Sequence, residues 1–179
     1  MFGRINDGIA VGLEKAVAVM EKHRPAAIWL ACPRKTEDLE IWSKVIKNAS
    51  PDSRIWIQVA SVSMAMHMAA TCSPDFTIMQ GSDAGGHRPF PGAGIVSLVP
   101  ETRDALDEGD FGDIVVFVAG GICDGRGVAA ALACGADGVV MGTRFLASKE
   151  IELPVKEYYE AILAAKDGGV STARGNCVR

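Results

Sequence analysis

The amino-acid sequence predicts an α/β fold built on a parallel sheet. Three observations predict it. Short apolar runs alternate with segments of helical spacing along most of the chain. Those runs are nearly continuous in apolar residues, as strands buried on both faces must be. The loops leaving the last three runs, GSDAGGH, GGICDG and GTR, are rich in glycine.

The elements follow in order. Residues 9–23 carry Ile9, Leu13, Ala16, Val17 and Met20 at helical spacing. AAIWLA at 26–31 is the first strand. Residues 36–48 form an amphipathic helix through Leu39, Trp42, Val45 and Ile46. Residues 55–60 are the second strand and 62–72 a helix. Strands three, four and five are expected at 76–80, 114–119 and 138–141. Helices are expected at 101–109, 125–134 and 154–166. No tandem repeat, low-complexity tract or linker interrupts the alternation, so residues 1–179 read as one domain.

Composition narrows the function. The hydrophobic fraction is 49%, the charged fraction 22% and the net charge −4. No Lys/Arg cluster offers a nucleic-acid surface. The longest apolar run, at about 26–32, is far short of a membrane span. MFGRINDG at the N-terminus lacks the apolar core of a secretory signal, so a cytoplasmic or organelle-interior location is expected. The five cysteines, Cys32, Cys72, Cys123, Cys134 and Cys177, include no CxxC pair. Their odd number and spacing argue for free thiols in a reducing compartment rather than disulfides or a metal site.

The glycine loops carry the chemistry. The fourth strand ends at Gly120–Gly121, with a helix starting near Gly125. The fifth ends at Met141–Gly142–Thr143, with a short helix starting near Arg144. Glycine lets backbone approach a ligand closely, and helix N-termini offer unpaired N–H groups to anions. Two such loops after the last two strands of a βα barrel form a known kind of phosphate site. Thr143 adds a hydroxyl, and Arg144 adds a charge. Taken alone, either loop reads as a tight turn. Gly125–Arg126–Gly127–Val128–Ala129–Ala130 also fits GxGxxA, a dinucleotide fingerprint, but weakly. Its glycines lie past the strand end, inside the helix. No acidic residue closes a following strand, since Glu150 falls in a helical stretch.

Gln80–Gly81–Ser82–Asp83–Ala84–Gly85–Gly86–His87 leaves the third strand on the same face. Imidazole titrates near neutrality, which suits proton abstraction from carbon. Gly85 and Gly86 leave room for a flat ring, and the Gln80 amide can donate or accept. A lone loop histidine normally caps or meets solvent; beside two phosphate loops, His87 becomes the candidate base. His23 and His67 lack that setting. His23 ends a helix, and His67 lies within one.

QGSDAGGH at 80–87 and AGGICDGRGVAAALACGADGVVMGTRFLASKE at 119–150 together resemble the nitronate monooxygenases. The similarity extends through PAAIWLACP at 25–33, RIWIQVASV at 54–62, GAGIVSLVPE at 92–101 and DGGVSTAR at 167–174. The resemblance implies flavin mononucleotide (FMN) on a TIM-type barrel and oxidation of alkyl nitronates, and of nitroalkanes, with O2. It implies flavin contacts at Gln80, Gly85 and Gly86. It implies one phosphate loop at Gly120 and Gly121 and a second at Val140, Met141, Gly142 and Thr143. His87 stands where the family carries its base. Asp83 stands where many relatives carry Glu and is assigned no catalysis. No metal is implied.

Against that pattern the five strands correspond to barrel strands four to eight, and the first three βα units are not found. Eight strands close such a barrel. Five leave open edges, so a homo-oligomer or a further N-terminal segment is expected to complete it. Two other readings stand beside the enzyme: a truncated, non-catalytic homologue, and a flavin-dependent enoyl-acyl-carrier-protein reductase, which shares the glycine–histidine loop.

Overall fold

The computed structural model describes residues 9–88, 92–152, 154–172 and 174–176. The chain alternates as expected: α1 (Ile9–His23), β1 (Ala27–Leu30), α2 (Thr36–Ala49), β2 (Arg54–Val59), α3 (Val62–Cys72), β3 (Phe76–Gln80), β4 (Gly86–Arg88), α4 (Ile95–Glu108), β5 (Val115–Ala119), α5 (Gly125–Ala133), β6 (Gly138–Val140), α6 (Thr143–Leu146), α7 (Lys156–Ala164), α8 (Gly168–Ser171) and β7 (Arg174–Asn176). Five strands form one parallel sheet in the order β1-β2-β3-β5-β6. A separate two-stranded parallel sheet joins β4 to β7. The fold is α/β, with the five adjacent strands and outer helices of a partial TIM-type barrel.

The two faces of the large sheet differ in chemistry. Leu30, Ile55, Ile57, Val59, Met79, Val116 and Val118 pack against helices α1 to α5 through Met20, Leu39, Ile46, Ala65, Met68, Leu98, Leu106 and Ala131, all buried. At roughly 1.5–3 kcal/mol per fully buried large aliphatic side chain, this helix-side layer supplies most of the folding drive. The alternate residues face the other way, as period-two geometry requires. Trp29, Trp56 and Phe76 stand side by side in register. Trp56 stacks on Phe76 at 4.6 Å between ring centroids, and Phe117 meets both edge-on at 5.6 and 5.3 Å. Gly138 makes room for that ring, because a Cβ there would stand 2.6 Å from the Phe117 ring.

Two aspartates fasten the N-terminal ends of the strands. Asp75, just before β3, accepts the Ile55 N–H at 2.8 Å and pairs with Arg54. Asp137, just before β6, accepts the Val116 N–H at 2.8 Å and pairs with Arg103. Each carboxylate thus satisfies a backbone donor on the neighbouring strand.

Helix α4 starts a turn and a half earlier than the sequence predicts. Pro100 stands just before the expected start at 101, and proline favours a first helical position. In the structure it sits inside the helix. Proline lacks the N–H that would bond the carbonyl four residues back. That residue, Val96, is 71% exposed, so its carbonyl is left on the solvent side of the helix. Among the described residues no helix is long and apolar enough to cross a membrane.

Candidate active site

The C-terminal ends of β3, β5 and β6 bring the predicted residues together. Strand register sets Gln80 beside Ala119 and Ala119 beside Val140, one row on the face away from the helices. Gln80 is buried, and Ala119, the shortest of the three, leaves the row low in the middle. Met141 differs: it packs against the helix-side core. Any contact from Met141 to a ligand in this row is therefore confined to its backbone.

The histidine loop and the Gly120–Gly121 loop are tied by backbone. Gly81 N–H donates to the Ala119 carbonyl at 2.8 Å, and Ala84 N–H donates to the Gly81 carbonyl at 3.1 Å. Ser82 N–H donates to the Ala93 carbonyl at 2.7 Å, which anchors the loop's other side. Gly120 has φ +121 and Gly121 φ +68, conformations that L residues with a Cβ rarely adopt. A Cβ on Gly120 would stand 3.0 Å from the Ala84 nitrogen, and one on Gly121 would stand 3.0 Å from the Asp83 Cβ. These glycines are where two loops touch, a sharper requirement than a tight turn. Asp83 lies over Gly121 and is exposed to solvent.

Beyond the turn, Gly85 and Gly86 are exposed, and Gly86 has φ +78 with no atom near the place a Cβ would take. His87 is the central residue of β4, its Cα paired with that of Gly175 on β7. Pro89 lies outside the described residues. His67 bridges to Glu40 across helices α3 and α2 at 3.3 Å, away from the strand ends. His23 is the last residue of α1.

The two helix starts differ. At α5 the Asp124 carboxylate accepts the Arg126 and Gly127 N–H groups, so the open donors expected from sequence are already engaged. The Arg126 side chain holds Asp124 below the usual carboxylate range, chiefly by its hydrogen bond, with the two backbone N–H groups adding to it. The same pairing raises the Arg126 guanidinium. The first N–H groups of α5 are thus occupied by Asp124, and the bare backbone on this side is that of Gly120–Gly121. At α6 the first residues have no side-chain cap. Gly142 is exposed, with no atom within 4 Å of an added Cβ, and Thr143 and Arg144 are exposed beside it. The second loop therefore offers open space beside backbone that no side chain caps. No cluster of three or more metal-ligating side chains occurs among the described residues. Among the described residues no disulfide joins Cys32, Cys72, Cys123 or Cys134, and Cys177 lies outside them.

Sequence reasoning missed Asp124 as a cap and β7 as a partner of β4. The Asp124 signal was present, since Asp directly before a helical Gly-Arg-Gly is an N-cap pattern. The β4–β7 pairing had none, because three-residue strands with glycine show no alternation.

Known proteins share this arrangement. The sequence profile of the nitronate monooxygenase family matches residues 5–170. The chain is 48% identical over 165 residues to the nitronate monooxygenase npaC of Metarhizium robertsii, covering 90% of this chain and 45% of that protein. It is 38% identical over 192 residues to a nitronate monooxygenase of Neurospora crassa, covering 94% and 50%. The chain thus spans about half the length of the curated relatives it matches. Among solved structures it resembles FabK from Thermotoga maritima, with a TM-score of 0.69 and 31% identity over 85% of this chain and 44% of that one. An IMP dehydrogenase/GMP reductase-like protein from Corynebacterium glutamicum shares the fold, with a TM-score of 0.56 at 19% identity over 78% of this chain and 39% of that one. With a family profile covering nearly the whole chain and two such relatives, this protein belongs to the nitronate monooxygenase family.

Proposed function

We propose that the chain carries the base-and-phosphate half of the active site of an FMN-dependent nitronate monooxygenase, acting on small nitronates and nitroalkanes with O2. The observation that carries this reading is the Gly81–Ala119 hydrogen bond, together with the Gly120–Ala84 approach. They hold the His87-bearing loop against a glycine loop at the strand ends. The residues present fit the cofactor. Gly142 offers open space beside uncapped backbone donors, and Gly120–Gly121 bring bare backbone to the same end of the sheet. Gly120, Gly121, Val140, Met141, Gly142 and Thr143 would hold the phosphate and its ribityl arm. Gln80, Gly85 and Gly86 would line the ring. Bound FMN supplies the electron transfer between substrate and O2.

The chain's own residues do the rest. A nitroalkane is a carbon acid, and neutral imidazole at His87 takes its α-proton. The C–H electron pair moves into the C=N bond of the nitronate, and the proton stays on His87. A substrate supplied as the nitronate needs no deprotonation, so His87 then only positions it. The low floor at Ala119 leaves room above the sheet, and Gln80 offers an amide to a polar group there.

We assign the five strands of the large sheet to barrel strands four to eight. Edges β1 and β6 would then be completed by further sequence or by a second chain, and a monomer of this chain alone is expected to bind FMN weakly.

The test is oxygen uptake with a nitroalkane and with its nitronate, propionate 3-nitronate among the latter. His87→Asn is expected to cut nitroalkane turnover by about 10²–10⁴-fold and to spare most nitronate turnover. Equal loss on both substrates rejects His87 as the base. NADH oxidation coupled to an enoyl thioester would instead assign the reductase reading, and no flavin binding in any assembly would assign the non-catalytic one.

A further inference from the structure

The DGGVSTAR segment has no part in the phosphate or base assignments above, yet the structure brings its end to the histidine. Asp167 accepts the Gly169 N–H at 2.9 Å, and Thr172 N–H returns to the Gly168 carbonyl at 3.1 Å. These bonds close the single turn α8 and direct the chain into β7. There Gly86, His87 and Arg88 pair in parallel with Arg174, Gly175 and Asn176. β4 is not part of the five-stranded sheet, so among the described residues β7 is its ladder partner. The support matters because β4 is weak by itself. It has three residues and begins at Gly86, whose positive φ gives the entry no intrinsic preference. A strand that short does not hold its conformation alone. Paired residues of a ladder project to the same face, so glycine at 175 puts no side chain beside position 87.

We propose that β7, centred on Gly175, is the positioning strand of the proton-abstracting residue. It fixes the backbone of His87, and glycine at its centre adds no side chain to the paired position. The inference rests on reading His87 as the base. It predicts that proton transfer, which is sensitive to placement within an ångström, depends on β7, while oxidation of a ready-made nitronate does not.

The test uses the full chain with FMN and two variants, Gly175→Pro and Gly175→Ala. Proline removes an N–H and breaks the ladder. Hydrogen exchange is measured for residues 81–88 and, as a control for folding, for 115–119. Gly175→Pro is expected to speed exchange in 81–88 roughly tenfold and leave 115–119 unchanged. Oxygen uptake is expected to fall about 10²-fold with a nitroalkane, and by no more than about threefold with its nitronate. Gly175→Ala keeps the ladder, so exchange stays near that of the unsubstituted chain. Unchanged exchange in 81–88 overturns the proposal, as does parallel loss on both substrates. His87→Asn is run alongside. If it spares nitroalkane turnover, the base reading fails while the exchange data still decide whether β7 orders β4. If it abolishes that turnover and Gly175→Pro does not, only the positioning role fails.

Discussion

Gly120→Ala probes the junction between the two loops. Its φ of +121 lies where a residue with a Cβ is strained, at about 1–3 kcal/mol. The new Cβ also meets the Ala84 nitrogen at 3.0 Å, the Gly81 carbonyl oxygen at 3.2 Å and the Ala84 Cβ at 3.3 Å. Two of these are backbone atoms already bonded to each other, so they cannot swing aside as a flexible side chain would. Overpacking of this kind costs about 1–3 kcal/mol more. The total, about 2–6 kcal/mol, is a large share of the stability of a typical domain. For a chain of this size it lowers Tm by roughly 4–24 °C. Thermal melting by circular dichroism measures the fold, and FMN fluorescence titration measures the site. Gly142→Ala is the control, with φ −103 and no neighbour within 4 Å of its Cβ. It is expected to stay within about 0.5 kcal/mol of the parent while weakening FMN binding. A Tm drop of less than about 2 °C for Gly120→Ala would refute the claim that Gly120 is a forced contact.

Other outcomes follow from the same geometry. Gly138→Ala pushes a methyl into the Phe117 ring and is expected to cost about 1–3 kcal/mol in urea unfolding, with Gly138→Ala/Phe117→Leu partly restoring it. Asp137→Ala leaves the Val116 N–H without its acceptor and Arg103 without its carboxylate, at about 1–3 kcal/mol by the same measurement. Asp124 has its carboxyl depressed by Arg126, so its contribution is present above the ordinary carboxylate pKa and fades as pH falls through the depressed value. The Tm difference between the parent and Asp124→Asn is therefore expected to be full at pH 5–7 and to close below about pH 4.

The sheet was legible in the sequence because its strands are short apolar runs between helical periods. All five main strands fall within one residue of the expected ends, as at 26–31 against Ala27–Leu30. The start of α4 was not, because proline favours a helix's first turn, whereas here the buried Leu98 and Val99 carry the helix ahead of Pro100. At the site, residue types were legible but their use was not. Gly120 and Gly121 read as ligand-facing glycines, yet their tightest contacts are to the neighbouring loop. The α5 start read as open, yet Asp124 fills it through a bond between residues two apart. Such competition between a side chain and a ligand for the same N–H is settled by rotamer, which spacing does not encode.

The strand order has a consequence for how the molecule assembles. Each strand of the large sheet pairs with its nearest predecessor in that sheet, so pairing can proceed as each βα unit emerges from synthesis. The β4–β7 ladder is the exception, joining a strand near the middle of the chain to one near its described end. Closing so long a loop carries the largest entropic cost of any strand pairing among the described residues. The helix-side core is thus complete before the histidine strand meets its partner. A folding intermediate would therefore hold the formed sheet with β4 still unpaired.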